Sequence, residues 1–234
     1  ANKHGYLAGA LNAAVERGHI KSNPCEHVHL PRTQRKENVY LEPAEFKILL
    51  AEIPDHWKPL VLFLVTSGAR WSEATALRPG DLNKAAGTVR IWQAWKKKDG
   101  GGYELGPTKT KMSTRTVNLP PNVMGQLDLS GKWLFTNSGR GRQNEDGVVR
   151  NASFAPNVWH PAVARAQAAG LAKHPRIHDL RHTCASWLIQ GGRDLPSVQA
   201  QLGHESIVTT VSVYHHLDRK SGKDNADVLG PLLD

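Results

Sequence analysis

The first fifty residues carry two apolar periods of helical type, separated by a stretch that has none. In "GYLAGALNAAVERG" (5–18), Leu7, Leu11 and Val15 recur at i, i+4 and i+8 with alanines between them. That pattern predicts an amphipathic helix ending at Gly18. "KSNPCEHVHLPRTQRKENVY" (21–40) holds two prolines and several basic residues. It reads as a linker, its basic character suiting either a solvated loop or a strap across a polyanion. In "LEPAEFKILLAEI" (41–53) the helical period returns. Pro43 suits the first helical position, and Phe46, Leu49, Leu50 and Ile53 share a face. "HWKPLVLFLVTSG" (56–68) is apolar nearly all round, which predicts a central helix stopping at Gly68. A short helix is expected after Trp71, with Ser72 as its N-cap.

The period changes over residues 88–119. "TVRIWQAW", "GYELGPTK" and "TRTVNLP" are rich in β-branched and aromatic residues and predict three strands of a small antiparallel sheet. "KKKDGGG" is the turn between the first two, and "TKTKMS" the turn between the second and third. The glycine run is a poor phosphate loop, because no Gly-Lys-Ser/Thr follows it. "SGRGRQNEDG" (138–147) reads as mobile and partly basic. Helices are predicted over 161–170 and 178–192, the latter with Leu180, Cys184, Trp187 and Leu188 on one face. A short helix over 194–203 has Asp194 as N-cap and Gly203 just past its end. The class is α+β, mostly α-helical.

Composition narrows the function. A chain of 234 residues with 39% hydrophobic content can form one large domain, or one domain and part of another. A formal net charge of +9 favours polyanionic partners, nucleic acid first. Cys25 and Cys184 do not make a disulfide framework, and Cys184 reads as a buried, reduced thiol. The longest apolar run, "LVLFLV", is far short of the ~20 residues that span a bilayer. The chain has no secretory signal pattern. It begins in a helix-like segment without Met, as an excised fragment would.

Several polar residues stand out. His178 and Arg181, at i and i+3, project together from the face opposite the apolar stripe. His178 and His182 have zinc spacing, but no intervening Glu or evident third ligand. Arg70 follows the central helix and a Gly turn, where an arginine can clamp a phosphate or pair with Glu73. Lys109 sits near a hairpin tip, with Lys111 an equally plausible neighbour. "LGHESIVTTVSVYHHL" (202–217) holds His204 and Tyr214, and suits helix or strand alike.

In order, "SGARWSE" with Arg70, Lys109 in a β-hairpin, "HDLRHT" with His178 and Arg181, "LGH" with His204, and then Tyr214 resemble the tyrosine recombinase (phage integrase) family. The resemblance runs from about residue 40 to 217. It implies the family's catalytic fold over 40–217, the last helix of a core-binding domain over 1–20, an interdomain linker over 21–39, and a C-terminal tail over 218–234. Most of a core-binding domain, and any arm-binding domain, are missing from this sequence. The activity implied is site-specific cleavage and rejoining of DNA through a 3′-phosphotyrosine. Tyr214, on a helix, is the nucleophile, and Arg70, Arg181 and His204 hold the nonbridging oxygens. His178 is the base or shuttle, and Lys109 the general acid. His215 and His216 are weaker candidates for the shuttle. No metal or other cofactor is implied. The partners are double-stranded DNA, three further protomers on paired sites and a possible DNA-bending protein, in the cytoplasm of a bacterial host. The apolar end of the tail, Val228 to Leu233, folds back in cis or docks on a neighbouring protomer. A type IB topoisomerase-like enzyme and a catalytically inactive DNA-binding protein are the alternatives.

Overall fold

The computed structural model describes residues 2–31, 39–137 and 147–205. Tyr214, the tail, most of the "SGRGRQNEDG" segment and residues 32–38 of the expected linker lie outside the described residues. The chain divides into two compact units, 1–37 and 38–234.

In the first unit, helix α1 (Asn2–Glu16) starts earlier than the Leu/Val period indicates. Gly18 leaves it with φ 72°, a conformation glycine adopts without steric cost. Asn23 Nδ2 donates to Ala8 O at 3.1 Å and to Asn12 Oδ1 at 2.6 Å, tying the following turns back onto α1.

The second unit opens with α2 (Pro43–Ala51), capped where Glu45 Oε2 accepts from the Glu42 amide at 2.8 Å. Helix α3 (Lys58–Ser67) is apolar on every side because it is enclosed: Leu60, Val61, Phe63, Leu64 and Val65 are all buried. It ends at Gly68, φ 63°. Helix α4 (Trp71–Ala74) is capped by Arg70 rather than Ser72. The reason is Glu73, whose Oε2 reaches back to accept from the Arg70 amide at 2.9 Å.

The sheet differs from the three-stranded expectation. β1 (Leu82–Asn83), β2 (Thr88–Ile91) and β5 (Arg115–Asn118) form one antiparallel sheet, and β3 (Gln93–Lys97) pairs with β4 (Tyr103–Pro107) in another. The run "TVRIWQAW" is therefore split at Trp92. Thr108 N still donates to Trp92 O at 3.2 Å. The two ladders thus form a nearly continuous ribbon from which residues 108–114 loop out. The hairpin tip lies at 98–102, where Gly100, Gly101 and Gly102 take positive φ. Lys109 is on the loop, not at a hairpin tip, because β5 pairs with β2 instead of β4.

The remaining helices are α5 (Pro121–Met124), α6 (Asn151–Phe154), α7 (His160–Ala168), α8 (Asp179–Gln190) and α9 (Leu195–Leu202). A wide turn, Ala155–Trp159, joins α6 to α7 and accommodates Pro156, so the helical region begins before the expected residue 161. Helix α8 packs against α3. Leu180 and Cys184 are buried and Trp187 and Leu188 partly so, as the apolar stripe requires. Trp187 Nε1 donates to Leu41 O at 2.8 Å, and its ring meets Phe46 edge-on at 5.4 Å. No helix among the described residues is long and apolar enough to cross a membrane.

Candidate active site

The site is built where α3, α4, α8 and the end of α9 meet the 108–114 loop. Gly68 turns the chain out of α3 and sets Arg70 at the start of α4. Across from it, Arg181 lies in the first turn of α8. Sequence periodicity puts Arg181 on a polar face, yet it is 3% exposed. The first two turns of α8 are enclosed on nearly every side, with Asp179, Thr183 and Ser186 buried as well. Arg181 Nη1 donates to Gly68 O at 2.6 Å. Its Nη2, also buried, has no hydrogen-bond partner among the described residues.

Glu73, 2% exposed, is the carboxylate of this region. Its Oε1 accepts from Arg70 Nη1 at 2.7 Å, and its Oε2 from Arg115 Nη2 at 3.1 Å. Burial raises the Glu73 pKa, but Arg115 and Arg70 outweigh it, and the net shift is downward. Arg115 also donates from Nε to Gln201 O at 2.7 Å and from Nη1 to Ser113 O at 3.0 Å. Arg70 and Arg115 thus share one carboxylate, while Arg181 bonds the Gly68 carbonyl instead. Burial, then Arg70 and Arg115, pull Arg181 down to about 9.

Arg115 is a residue the sequence reading missed. The available signal was alternation: Arg115 and Val117 point inward, while Thr116 and Asn118 point out. An arginine in the inward phase of a strand needs a buried partner, and here that partner is Glu73.

His204 follows Gly203, whose φ is 66°. A Cβ at Gly203 would lie 2.9 Å from Met112 O and 3.0 Å from Arg115 Cδ. Glycine therefore meets two demands, the left-handed turn and the close approach of the loop. Gln199 holds the turn, accepting at its carbonyl from Gly203 N at 2.8 Å and donating from Nε2 to His204 O at 3.0 Å. His178 caps α8, and its ring meets that of His182 edge-on at 5.2 Å and 90°.

Arg70, Lys109, His178, Arg181 and His204 line one cleft of about 460 Å³, with Ser113 and His182 beside them. Partial desolvation in the cleft, then Arg181, lowers the pKa of His178. Desolvation lowers His182 to about 4, with His178 the next cause, and His204 to about 3, with Arg181 the next. The shifts favour the neutral imidazole in each case. Five of the six residues singled out by sequence are thus brought together. Among the described residues no group of three or more His, Cys, Asp or Glu could hold a metal, and the His178–His182 pair has no third ligand there.

The architecture is that of integrase catalytic domains. It matches the Tn1549 transposon integrase, solved with a circular intermediate DNA, at a TM-score of 0.77 and 19% identity, over 97% of this chain and 78% of that one. It matches a lambda integrase dimer bound to a core site at 0.62 and 16%, over 90% and 57%. The phage integrase family's sequence model matches residues 40–221, and the chain belongs to that family. The ICEBs1 integrase of Bacillus subtilis (strain 168) is 29% identical over 97% of this chain. Tyrosine recombinase XerD of Chlorobaculum tepidum is 31% identical over 86% of it. The chain spans 64% of the first relative's length and 65% of the second's.

Proposed function

We propose that this chain is the catalytic part of a site-specific DNA recombinase that breaks and rejoins strands through a 3′-phosphotyrosine. The observation that carries the reading is the buried guanidinium of Arg181, whose Nη2 has no hydrogen-bond partner among the described residues, in a cleft shared with Arg70, Lys109 and His204. A buried cationic donor without a carboxylate partner is costly in a folded protein. It is well placed for an anion whose charge grows during reaction.

A phosphodiester is such an anion. Arg70 and Arg181 hold its nonbridging oxygens, and His204 adds a further hydrogen bond. The hydroxyl oxygen of Tyr214 attacks phosphorus and forms the phosphotyrosine, while the bond to the 5′-oxygen breaks. His178, neutral in the cleft, takes or relays the tyrosine proton, and Lys109 gives a proton to the departing oxygen. Each transfer is worth roughly 10²–10⁴ in rate. Attack by a 5′-hydroxyl of a second strand reverses the step on a new partner and releases Tyr214. Because the bond energy is kept in the phosphotyrosine, no nucleotide is consumed.

The net charge of +9 suits double-stranded DNA, held chiefly through its phosphates. Four protomers act on paired sites, assisted where needed by a DNA-bending protein. Its named relatives are integrases and Xer recombinases, which favours strand exchange over supercoil relaxation.

The test is covalent capture from a pool of nicked duplexes with a randomised centre. Denaturant-resistant protein–DNA adducts are the expected outcome. A pool from which no adduct forms, at protein concentrations that bind the DNA, overturns it.

A further inference from the structure

The seven-residue loop that carries Lys109 is tied at its neck and at its crown. At the neck, the hydroxyls of Thr108 and Thr114 meet at 2.9 Å. At the crown, Thr110 Oγ1 and Ser113 Oγ meet at 3.1 Å, and Ser113 N donates to Thr110 O at 3.1 Å. Ser113 is 1% exposed, yet its hydroxyl faces the site. It accepts from Arg70 Nη1 at 3.4 Å and donates to Gly203 O at 3.5 Å, both at the long end of hydrogen-bond reach. A serine hydroxyl has one proton and two lone pairs. Arg70 donates to one lone pair, and the proton serves Gly203 O when Thr110 is the donor of the hydroxyl pair.

That one oxygen therefore joins three parts of the site that are distant in sequence: the residue that opens α4, the loop of Lys109, and the turn before His204. Lys109 itself is exposed and has a flexible four-carbon stem, so its precision depends on how its backbone is held.

We propose that Ser113 is a positioning residue for Lys109. Its hydroxyl fixes the 108–114 loop against Arg70 and the Gly203 turn, so that the ammonium is presented to the departing 5′-oxygen. The proposal rests on Lys109 being the general acid. It predicts that loss of the hydroxyl impairs leaving-group protonation and leaves phosphate clamping intact.

The experiment uses a nicked duplex recovered by the covalent capture described above, made with either oxygen or sulfur at the scissile 5′ position. Sulfur leaves without needing a proton. The rate of adduct formation is measured for the parent chain, Lys109→Ala, Ser113→Ala and Thr114→Val. On the oxygen strand Ser113→Ala is expected to be slower by about tenfold or more, which is ~1.4 kcal/mol in the barrier. On the sulfur strand it should come within about threefold of the parent, the same pattern as Lys109→Ala. Thr114→Val loosens the neck of the loop from an exposed position. It should show a smaller loss of the same kind, and it carries the test if Ser113→Ala does not fold.

A Ser113→Ala defect of equal size on both strands would overturn the proposal, placing the hydroxyl's effect on Arg70. So would a rate unchanged on both. If Lys109→Ala is rescued by sulfur and the loop variants are not, the proposal alone falls. If Lys109→Ala itself is not rescued, the general-acid assignment falls and the proposal with it.

Discussion

Arg181 donates from Nη1 to the carbonyl oxygen of Gly68 at 2.6 Å, across 113 residues of sequence. The acceptor is at the C-terminal end of α3, where helix carbonyls lack partners of their own and carry partial negative charge. One hydrogen bond thereby fixes the distance between the helix that carries Arg181 and the turn that carries Arg70. It also leaves the second terminal nitrogen without a hydrogen-bond partner among the described residues, the donor that the proposed phosphate would take.

Gly68→Ala should damage this relationship from the other side. Gly68 has φ 63°, and a Cβ there would overlap Leu202 Cδ2 and approach Cys184 Sγ to 3.2 Å. Left-handed strain and overpacking together are expected to cost about 2–4 kcal/mol. Urea denaturation measures this as a lower midpoint at unchanged slope.

Replacing Arg181 by Lys keeps a positive charge but loses the planar fork. An ammonium cannot hold Gly68 O and present a second fixed donor in the same geometry. The rate of covalent adduct formation should fall by about 10²-fold or more, with DNA binding within a few-fold of the parent. Millimolar sulfate should raise the melting temperature of the parent by occupying the clamp. Arg181→Met should respond less, and an equal response in both would place the anion elsewhere.

Glu73→Gln tests the buried network. Glu73 pairs with Arg70 and Arg115, and Arg115 is only 8% exposed. Removing the negative charge leaves the buried Arg115 guanidinium without its counterion, at a cost of about 3–5 kcal/mol. Chemical denaturation should show the loss, and adduct formation should fall with it, since Arg70 is no longer anchored.

How the protein responds to acid follows from the cleft histidines. His182 and His204 are lowered to about 4 and about 3 by desolvation first. Between those values and the ordinary imidazole range near ~6.5, the unfolded chain binds more protons than the folded one. Their contribution is fully present above that range and is lost as pH falls through it. Glu73, also lowered, adds a loss of the same sign at still lower pH. The melting temperature should drop by several degrees between neutrality and about pH 5, and His204→Gln should lessen the drop. A melting temperature flat across that interval would contradict the assignment.

These features were unequally legible in the sequence. Arg70, His178 and Arg181 could be singled out because each sits in a short local pattern, and a turn or helix start places it; His204 gained its role only through the family resemblance of "LGH". The apolar period gave α2, α3 and α8, whose buried faces are the ones the spacing marks. Sheet pairing was not legible beyond its strands. Whether β5 pairs with β4 or with β2 depends on a seven-residue loop, and nothing in the composition of "TKTKMST" distinguishes a turn from an excursion out of a ribbon. The burial of Arg181 was hidden for a related reason. Helical periodicity separates apolar from polar positions, but a helix enclosed on most sides must also bury polar ones, and only packing shows which. Ser113 and Arg115 carry no motif chemistry. Their roles come from contacts 42 to 90 residues away in sequence.

The central claim is that Tyr214 is the nucleophile on which this cleft acts. The direct measurement is covalent adduct formation on the captured nicked duplex by the parent chain and by Tyr214→Phe, with binding to the same duplex measured in parallel. The change removes one hydroxyl, so binding should remain within a few-fold while the adduct disappears entirely. A Tyr214→Phe protein that still forms the adduct would contradict the account.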